Sequence, residues 1–223
     1  FGYMPNQKAL IVLKNLLVLG KSYFANMLYS ILRLFAILIS KIFFRIEVKG
    51  KEHIPKRGGF ILASNHISYL DPIVLGAACP RKLNFMARDD LFNNPAFSWL
   101  ITSVGAFPVK RNSADLSALK EAISRLKEGK ALLIFPEGSR QINDLSDTVQ
   151  PGIGFLVAKS NLPVIPSLIK GTDKALPKGK QFIRPKKIRV YFGREISIER
   201  SKSHNYQDIA KQIMYDIGHL ACK

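Results

Sequence analysis

The sequence predicts an α/β fold: a mixed, largely parallel sheet flanked by helices, preceded by an apolar helical segment. Short apolar runs of strand length recur at Phe60–Ser64, Ala131–Phe135 and Pro163–Ile169. Segments with helical spacing separate them, and strands alternating with helices are the pattern of layered α/β domains. Two of the runs, those ending at Ser64 and Phe135, pass straight into polar loops. In open α/β sheets ligands bind beyond the carboxyl ends of the strands, so those loops are the first place to look for chemistry.

The chain has 223 residues, enough for one well-cored domain with an appendage. Its 34 Lys and Arg outnumber 16 acids, and the net charge of +18 favours an anionic partner: a lipid headgroup surface, a nucleic acid or an acidic protein. Cys79 and Cys222 lie far apart without metal-ligand spacing, which points to a reducing compartment or indifference to redox rather than a disulfide framework.

Residues 1–45 read as an N-terminal interfacial helical segment and residues 46–223 as the α/β domain. Between Lys8 and Lys41 the chain is apolar but interrupted by Lys14, Lys21 and Arg33, so no uncharged run reaches the roughly 18 residues of a membrane span. On a helix, Lys8, Asn15, Ser22, Asn26, Tyr29, Arg33 and Ser40 fall within about 40° of one line. One polar stripe on a greasy cylinder suits a helix, or two broken near Gly20, lying in the plane of a bilayer interface with basic side chains reaching headgroups. A true membrane span and a hydrophobic hairpin packed on the domain's own core are the alternatives.

Within the domain, Phe60–Ser64 is the first strand and Pro72–Ala78 a helix, since proline suits the first helical position. Leu116, Leu119, Ile123 and Leu126 mark an amphipathic helix with Ser113 as its cap and Gly129 as its stop. The strand Ala131–Phe135 follows. A helix at Gly154–Ser160, the strand Pro163–Ile169, a strand at Lys187–Phe192 and a last helix at Tyr206–Leu220 complete the domain.

The first candidate site is SNHISYLDP, residues 64–72. On one helix His66 and Asp71 would diverge by about 140°. Proline disfavours α geometry in the residue before it, which makes Asp71 an N-cap and His66–Leu70 a loop free to fold back. Folded back, the carboxylate can fix one imidazole nitrogen and leave the other as a base toward a substrate hydroxyl; a plain N-cap beside a polar loop histidine is the alternative. The second site is FPEGSR, residues 135–140, where Gly138 allows close backbone approach and Arg140 offers a bidentate fork for phosphate or carboxylate. The third, GAFPVKR at 105–111, presents Lys110 and Arg111 just before a helix, where phosphate commonly sits. For both basic motifs a solvated surface is the competing reading. No Ser or Cys sits in a nucleophile elbow.

NHISYLD, GAFPVKR, FPEGSR and VIPSLI have the order and approximate spacing of the four motifs of the glycerolipid acyltransferases. The chain resembles the bacterial lysophosphatidic acid acyltransferases from about Phe60 to Ile169, with the later GTDKALPKGK and VYFGREI also similar. The resemblance implies a glycerol-3-phosphate acyltransferase-like fold. It also implies direct acyl transfer from a thioester of acyl carrier protein or coenzyme A to the free hydroxyl of 1-acylglycerol 3-phosphate, giving phosphatidic acid. In that reading His66 is the general base, Asp71 orients it, and Arg111 and Arg140 hold the acceptor phosphate in a pocket shaped by Glu137 and Gly138. No metal is implied, nor any cofactor beyond the thioester co-substrate. Two positions depart from the pattern: many members have a serine after the FPEGTR block and a lysine before the following glycine, where this chain has Gln141 and Pro151. Another acceptor, such as glycerol 3-phosphate or an amino-lipid, therefore stays open, as does a catalytically silent lipid-binding protein.

Residues 170–194 carry nine basic residues and one acid, a stretch suited to anionic membrane lipids or an acidic carrier protein. Nucleic acid is not expected, because the single Trp99 and the long apolar N-terminal segment point elsewhere. The expectation is a monotopic enzyme on the cytoplasmic face of the inner membrane, acting on a lysophospholipid.

Overall fold

Seven strands form one sheet: β1 (Glu47–Lys49), β2 (Phe60–Ser64), β3 (Leu83–Arg88), β4 (Ala106–Val109), β5 (Ala131–Ile134), β6 (Val164–Lys170) and β7 (Arg189–Phe192). Across the sheet they run β1-β7-β6-β2-β5-β3-β4. The computed structural model describes residues 7–110, 115–138, 149–198 and 205–220. All neighbouring pairs are parallel except β6 with β7, so the expected mixed, largely parallel sheet is present. The central strand β2 is buried at every position, which is why it reads as an unbroken apolar run. Three strands escape the sequence reading. β1 has only three residues, β3 mixes polar and apolar positions, and β4 contains Pro108, which a sheet tolerates at its edge.

The helices are α1 (Gln7–Ile42), α2 (Asp71–Ala78), α3 (Pro95–Ser103), α4 (Leu116–Lys127), α5 (Pro151–Ser160), α6 (Thr172–Ala175) and α7 (Tyr206–His219). Successive β2 residues face opposite cores: Phe60 and Leu62 pack with Val74 and Leu75 of α2, whereas Ile61 and Ala63 pack with Leu126 of α4, Val157 of α5 and Ile213 of α7. At Gly154 the backbones of α5 and α7 approach so closely that a Cβ would collide with the Tyr206 carbonyl.

Two helix starts differ from expectation. The cap of α4 is Asp115 rather than Ser113, which lies outside the described residues; its Oδ1 accepts the N–H groups of Ser117 and Ala118 at 3.1 and 3.0 Å. Leu116 is exposed, and the buried stripe is Ala118, Ala122 and Leu126. α5 begins three residues early, at Pro151, whose ring suits a first helical position and whose missing N–H needs no partner there.

The largest revision concerns α1, a continuous helix of 36 residues that passes through Gly20 without a break. No helix among the described residues is long and apolar enough to cross a membrane. The described members of its polar stripe face the protein instead of headgroups. Arg33 Nη2 donates to the Cys79 carbonyl at 2.6 Å, just past the end of α2, where a helix presents unpaired carbonyls to a cation. Ser40 is buried, and Lys82 Nζ lies 4.5 Å from the centre of the Tyr29 ring and 3.3 Å from Asn26 Oδ1. The opposite face, Phe24, Met27, Ile31, Leu34, Phe35, Leu38 and Ile42, is exposed.

Candidate active site

β2 and β5 are parallel neighbours with Ala63 beside Ile134, so their following loops leave the same edge of the sheet side by side. The loop after β2 is pinned at both ends. Asn65 mimics a strand residue, its amide donating to the Ile169 carbonyl at 3.0 Å and accepting the Ile169 N–H at 2.8 Å. Ser68 Oγ donates to the Leu176 carbonyl at 3.1 Å.

Between these pins the chain folds back as expected, with one difference. Asp71 is the first residue of α2 and Leu70 its cap; the carboxylate reaches backward into the loop rather than forward into the helix. Its Oδ2 accepts from His66 Nδ1 at 2.9 Å, from the Ile67 N–H at 2.7 Å and from the Ser68 N–H at 2.7 Å. Asp71 is fully buried. An ionised carboxylate only accepts, so Nδ1 carries the ring proton and Nε2 keeps the lone pair. The arrangement can therefore take up a proton at Nε2 and stabilise the resulting imidazolium through a buried negative charge.

The loop after β5 supports the same histidine. The Phe135 ring stacks on the imidazole with centroids 4.0 Å apart and planes 18° from parallel. Gly138, at φ 66°, turns the chain so that its N–H meets the Phe135 carbonyl at 3.0 Å, and a side chain there would press on Gln150. Glu137 Oε2 accepts the backbone N–H of His66 at 3.2 Å. Burial pushes the Glu137 carboxyl up to about 7, with the nearby Asp71 charge adding to the rise and the His66 N–H opposing it. Glu137 thus braces the histidine loop.

Arg111, Arg140 and the departing Gln141 lie outside the described residues. Lys110, directly before Arg111, is held by Asp115, whose Oδ2 accepts the Lys110 N–H at 2.9 Å. That bond, the Ser117 hydroxyl and the Ala118 N–H hold the Asp115 carboxyl down at about 2. Lys110 follows β4, three strand spacings or about 15 Å from β2. Among the described residues no group of three or more His, Cys, Asp or Glu side chains is placed to hold a metal ion. Asn65, Phe135 and Asp115 are the positioning residues that sequence reasoning gave no role. Asn65 and Phe135 stand inside the quoted motifs, and Asp115 follows GAFPVKR by four positions.

The family model for acyltransferases matches residues 45–170, a span holding β2, β5 and the whole histidine site. The chain belongs to the acyltransferase family. Among the relatives of this acyltransferase, a Bacillus subtilis protein named 1-acyl-sn-glycerol-3-phosphate acyltransferase is 30% identical over 149 residues, 66% of this chain and 72% of that protein. A Streptococcus pneumoniae protein of the same name is 30% identical over 188 residues, 82% of this chain and 68% of its own length. The fold is shared with the crystal structure of the LPA acyltransferase PlsC from Thermotoga maritima, with a TM-score of 0.68, 22% identity, and coverage of 99% of this chain and 85% of that one.

Proposed function

We propose that this acyltransferase moves a fatty acyl group from a thioester to the free hydroxyl of 1-acylglycerol 3-phosphate, forming phosphatidic acid at a membrane surface. The observation that carries the reading is Asp71 Oδ2 gathering the His66 ring N–H and two backbone N–H groups in a buried loop. Nε2 takes the proton of the acceptor hydroxyl as its oxygen attacks the thioester carbonyl. Asp71 holds the imidazolium; the developing oxyanion needs a backbone N–H donor other than those of His66, Ile67, Ser68 and Gly138, which are already bonded. Collapse of the tetrahedral intermediate breaks the carbon–sulfur bond, and the thiolate leaves with the proton from Nε2. No acyl-enzyme forms. Arg140 follows Gly138 by two positions in the sequence and Arg111 follows Lys110; both are the residues we assign to the acceptor phosphate, with Gly138 giving its loop the turn.

Residues 1–45 attach the protein to the cytoplasmic face of the inner membrane without crossing it, and residues 46–223 form the catalytic domain. The exposed apolar face of α1 and the net charge of +18 support that attachment. The basic residues of 170–194 serve anionic lipid or the acyl carrier protein. Transfer of labelled acyl groups from acyl carrier protein and from coenzyme A, to 1-acylglycerol 3-phosphate and to glycerol 3-phosphate in mixed micelles, tests the reading. Turnover on the lysophospholipid is expected. Turnover on glycerol 3-phosphate alone would replace the acceptor, and none on either, with the fold intact, would favour a silent lipid binder.

A further inference from the structure

We infer that α3 is a second membrane-contact element beside α1, with Trp99 seated in the lipid interface; this rests on the reading of a lipid-modifying enzyme. Helix α3, PAFSWLITS, contains no charged residue and none of its residues is buried. A helix that is mostly apolar on all sides belongs in a protein core or in lipid, and this one has left the core. Phe97, Trp99 and Leu100 are 43, 54 and 36% exposed. The helix is nevertheless firmly built: Pro95 occupies its first turn, and Asn94 caps it by accepting the Phe97 N–H at 3.0 Å. Its Ser103 hydroxyl is satisfied internally by the Trp99 carbonyl at 2.8 Å, so this group needs no water.

The occupant follows from continuity and charge. Trp99 meets Phe24 of α1 with ring centroids 6.3 Å apart, joining α3 to the outward face that carries Phe24, Met27, Ile31 and Leu34. Two helices then share one apolar surface on a protein of net charge +18, a combination that fits an anionic bilayer. Of the acids just before α3, Asp90 is paired with Arg88, which reduces repulsion from such a surface. Tryptophan is the side chain enriched at membrane interfaces, having an apolar ring and one N–H donor. Two contacts fix a tilt where one helix fixes only an axis. Because α2 packs on α1 and follows the His66 loop, that tilt sets the height of the site above the lipid.

Trp99 is the only tryptophan in the chain, so its emission reports this one site without any substitution. Full-length protein is added to vesicles of phosphatidylcholine and phosphatidylglycerol, with bromine carried either near the headgroup or near the chain end. The expected result is cosedimentation, a shift of emission to shorter wavelength, several-fold loss of acrylamide quenching, and stronger quenching by the shallow bromine. Phe97→Asp with Leu100→Asp should weaken partitioning about tenfold or more while thermal unfolding and acyl transfer in detergent micelles stay unchanged. Cosedimentation with Trp99 still open to acrylamide would overturn the role of α3 and leave attachment through α1 standing. Absence of cosedimentation would overturn both, while turnover in micelles would preserve the enzymatic reading. Emission shielded before vesicles are added, in proportion to protein concentration, would assign α3 to a second copy of the chain and overturn the lipid contact.

Discussion

At the ends of β2 and β5 polar side chains are buried, whereas along α1 and α3 large apolar ones are exposed. Each region inverts the usual distribution, and the two inversions have different causes. Asp71 is inside because one oxygen receives three N–H groups, which offsets much of the cost of burying it and fixes its position, although its other oxygen, Oδ1, has no partner among the described residues. Leu34 and Phe35 are outside because the inner face of their helix is taken by Tyr29, Arg33 and Ser40. A buried, hydrogen-bonded polar cluster indicates chemistry, and an exposed apolar face indicates a surface awaiting another phase.

If that division is right, substitutions in one region should spare the other's readout. The largest effect is expected from His66→Ala: acyl transfer falls by about 10²- to 10⁴-fold, the usual contribution of a positioned general base, while vesicle cosedimentation is unchanged. Asp71→Asn keeps the shape and removes the charge, so turnover falls by about 10²-fold, toward the lower end of that range. Near-normal turnover in either variant would break the assignment of chemistry to the strand ends.

Glu137 sharpens the comparison, because it is a buried acid whose charge is held by the His66 N–H. Its carboxyl is raised from the usual 4.5 to about 7, so the folded chain keeps a proton that the unfolded chain releases between those values. Its contribution to stability is full below pH 4.5, declines as pH rises and is lost above about 7. The total decline is on the order of 3 kcal/mol. In Glu137→Gln the amide oxygen still accepts the His66 N–H and this slope disappears. Urea unfolding of both proteins below and above the window measures the difference. Parallel curves would show that Glu137 stays ionised in the fold.

Much of this was legible in the sequence, for identifiable reasons. β2, β5 and β6 were visible because strands buried on both faces read as continuous apolar runs. The pairing of His66 with Asp71 was visible because Pro72 marks a helix start, which leaves His66 in the preceding loop rather than on the same helix as Asp71. β1, β3 and β4 were not, since three-residue and mixed strands at a sheet margin lack both the run and the alternation. The role of Glu137 was also hidden. Its partner is a backbone N–H 71 positions away, and only the adjacency of β2 and β5 brings the two together. The direction of the α1 stripe was misread because periodicity locates a polar line on a helix without saying what it faces.

The two faces of α1 give the finest test. Arg33→Ala removes a charge-assisted bond to the Cys79 carbonyl and should lower stability by about 2 kcal/mol, read as a fall in Tm in detergent. Leu34 is the adjacent residue and 59% exposed, so Leu34→Ser should change stability by less than about 0.5 kcal/mol and instead weaken vesicle partitioning a few-fold. The substitutions are one position apart in sequence, about 100° apart around the helix, and opposite in readout. Exchange of the two outcomes would mean that α1 presents Arg33 to headgroups after all. The apolar exterior would then belong against the domain, and the contrast between a buried polar cluster and an exposed apolar surface would fail at the helix on which it chiefly rests.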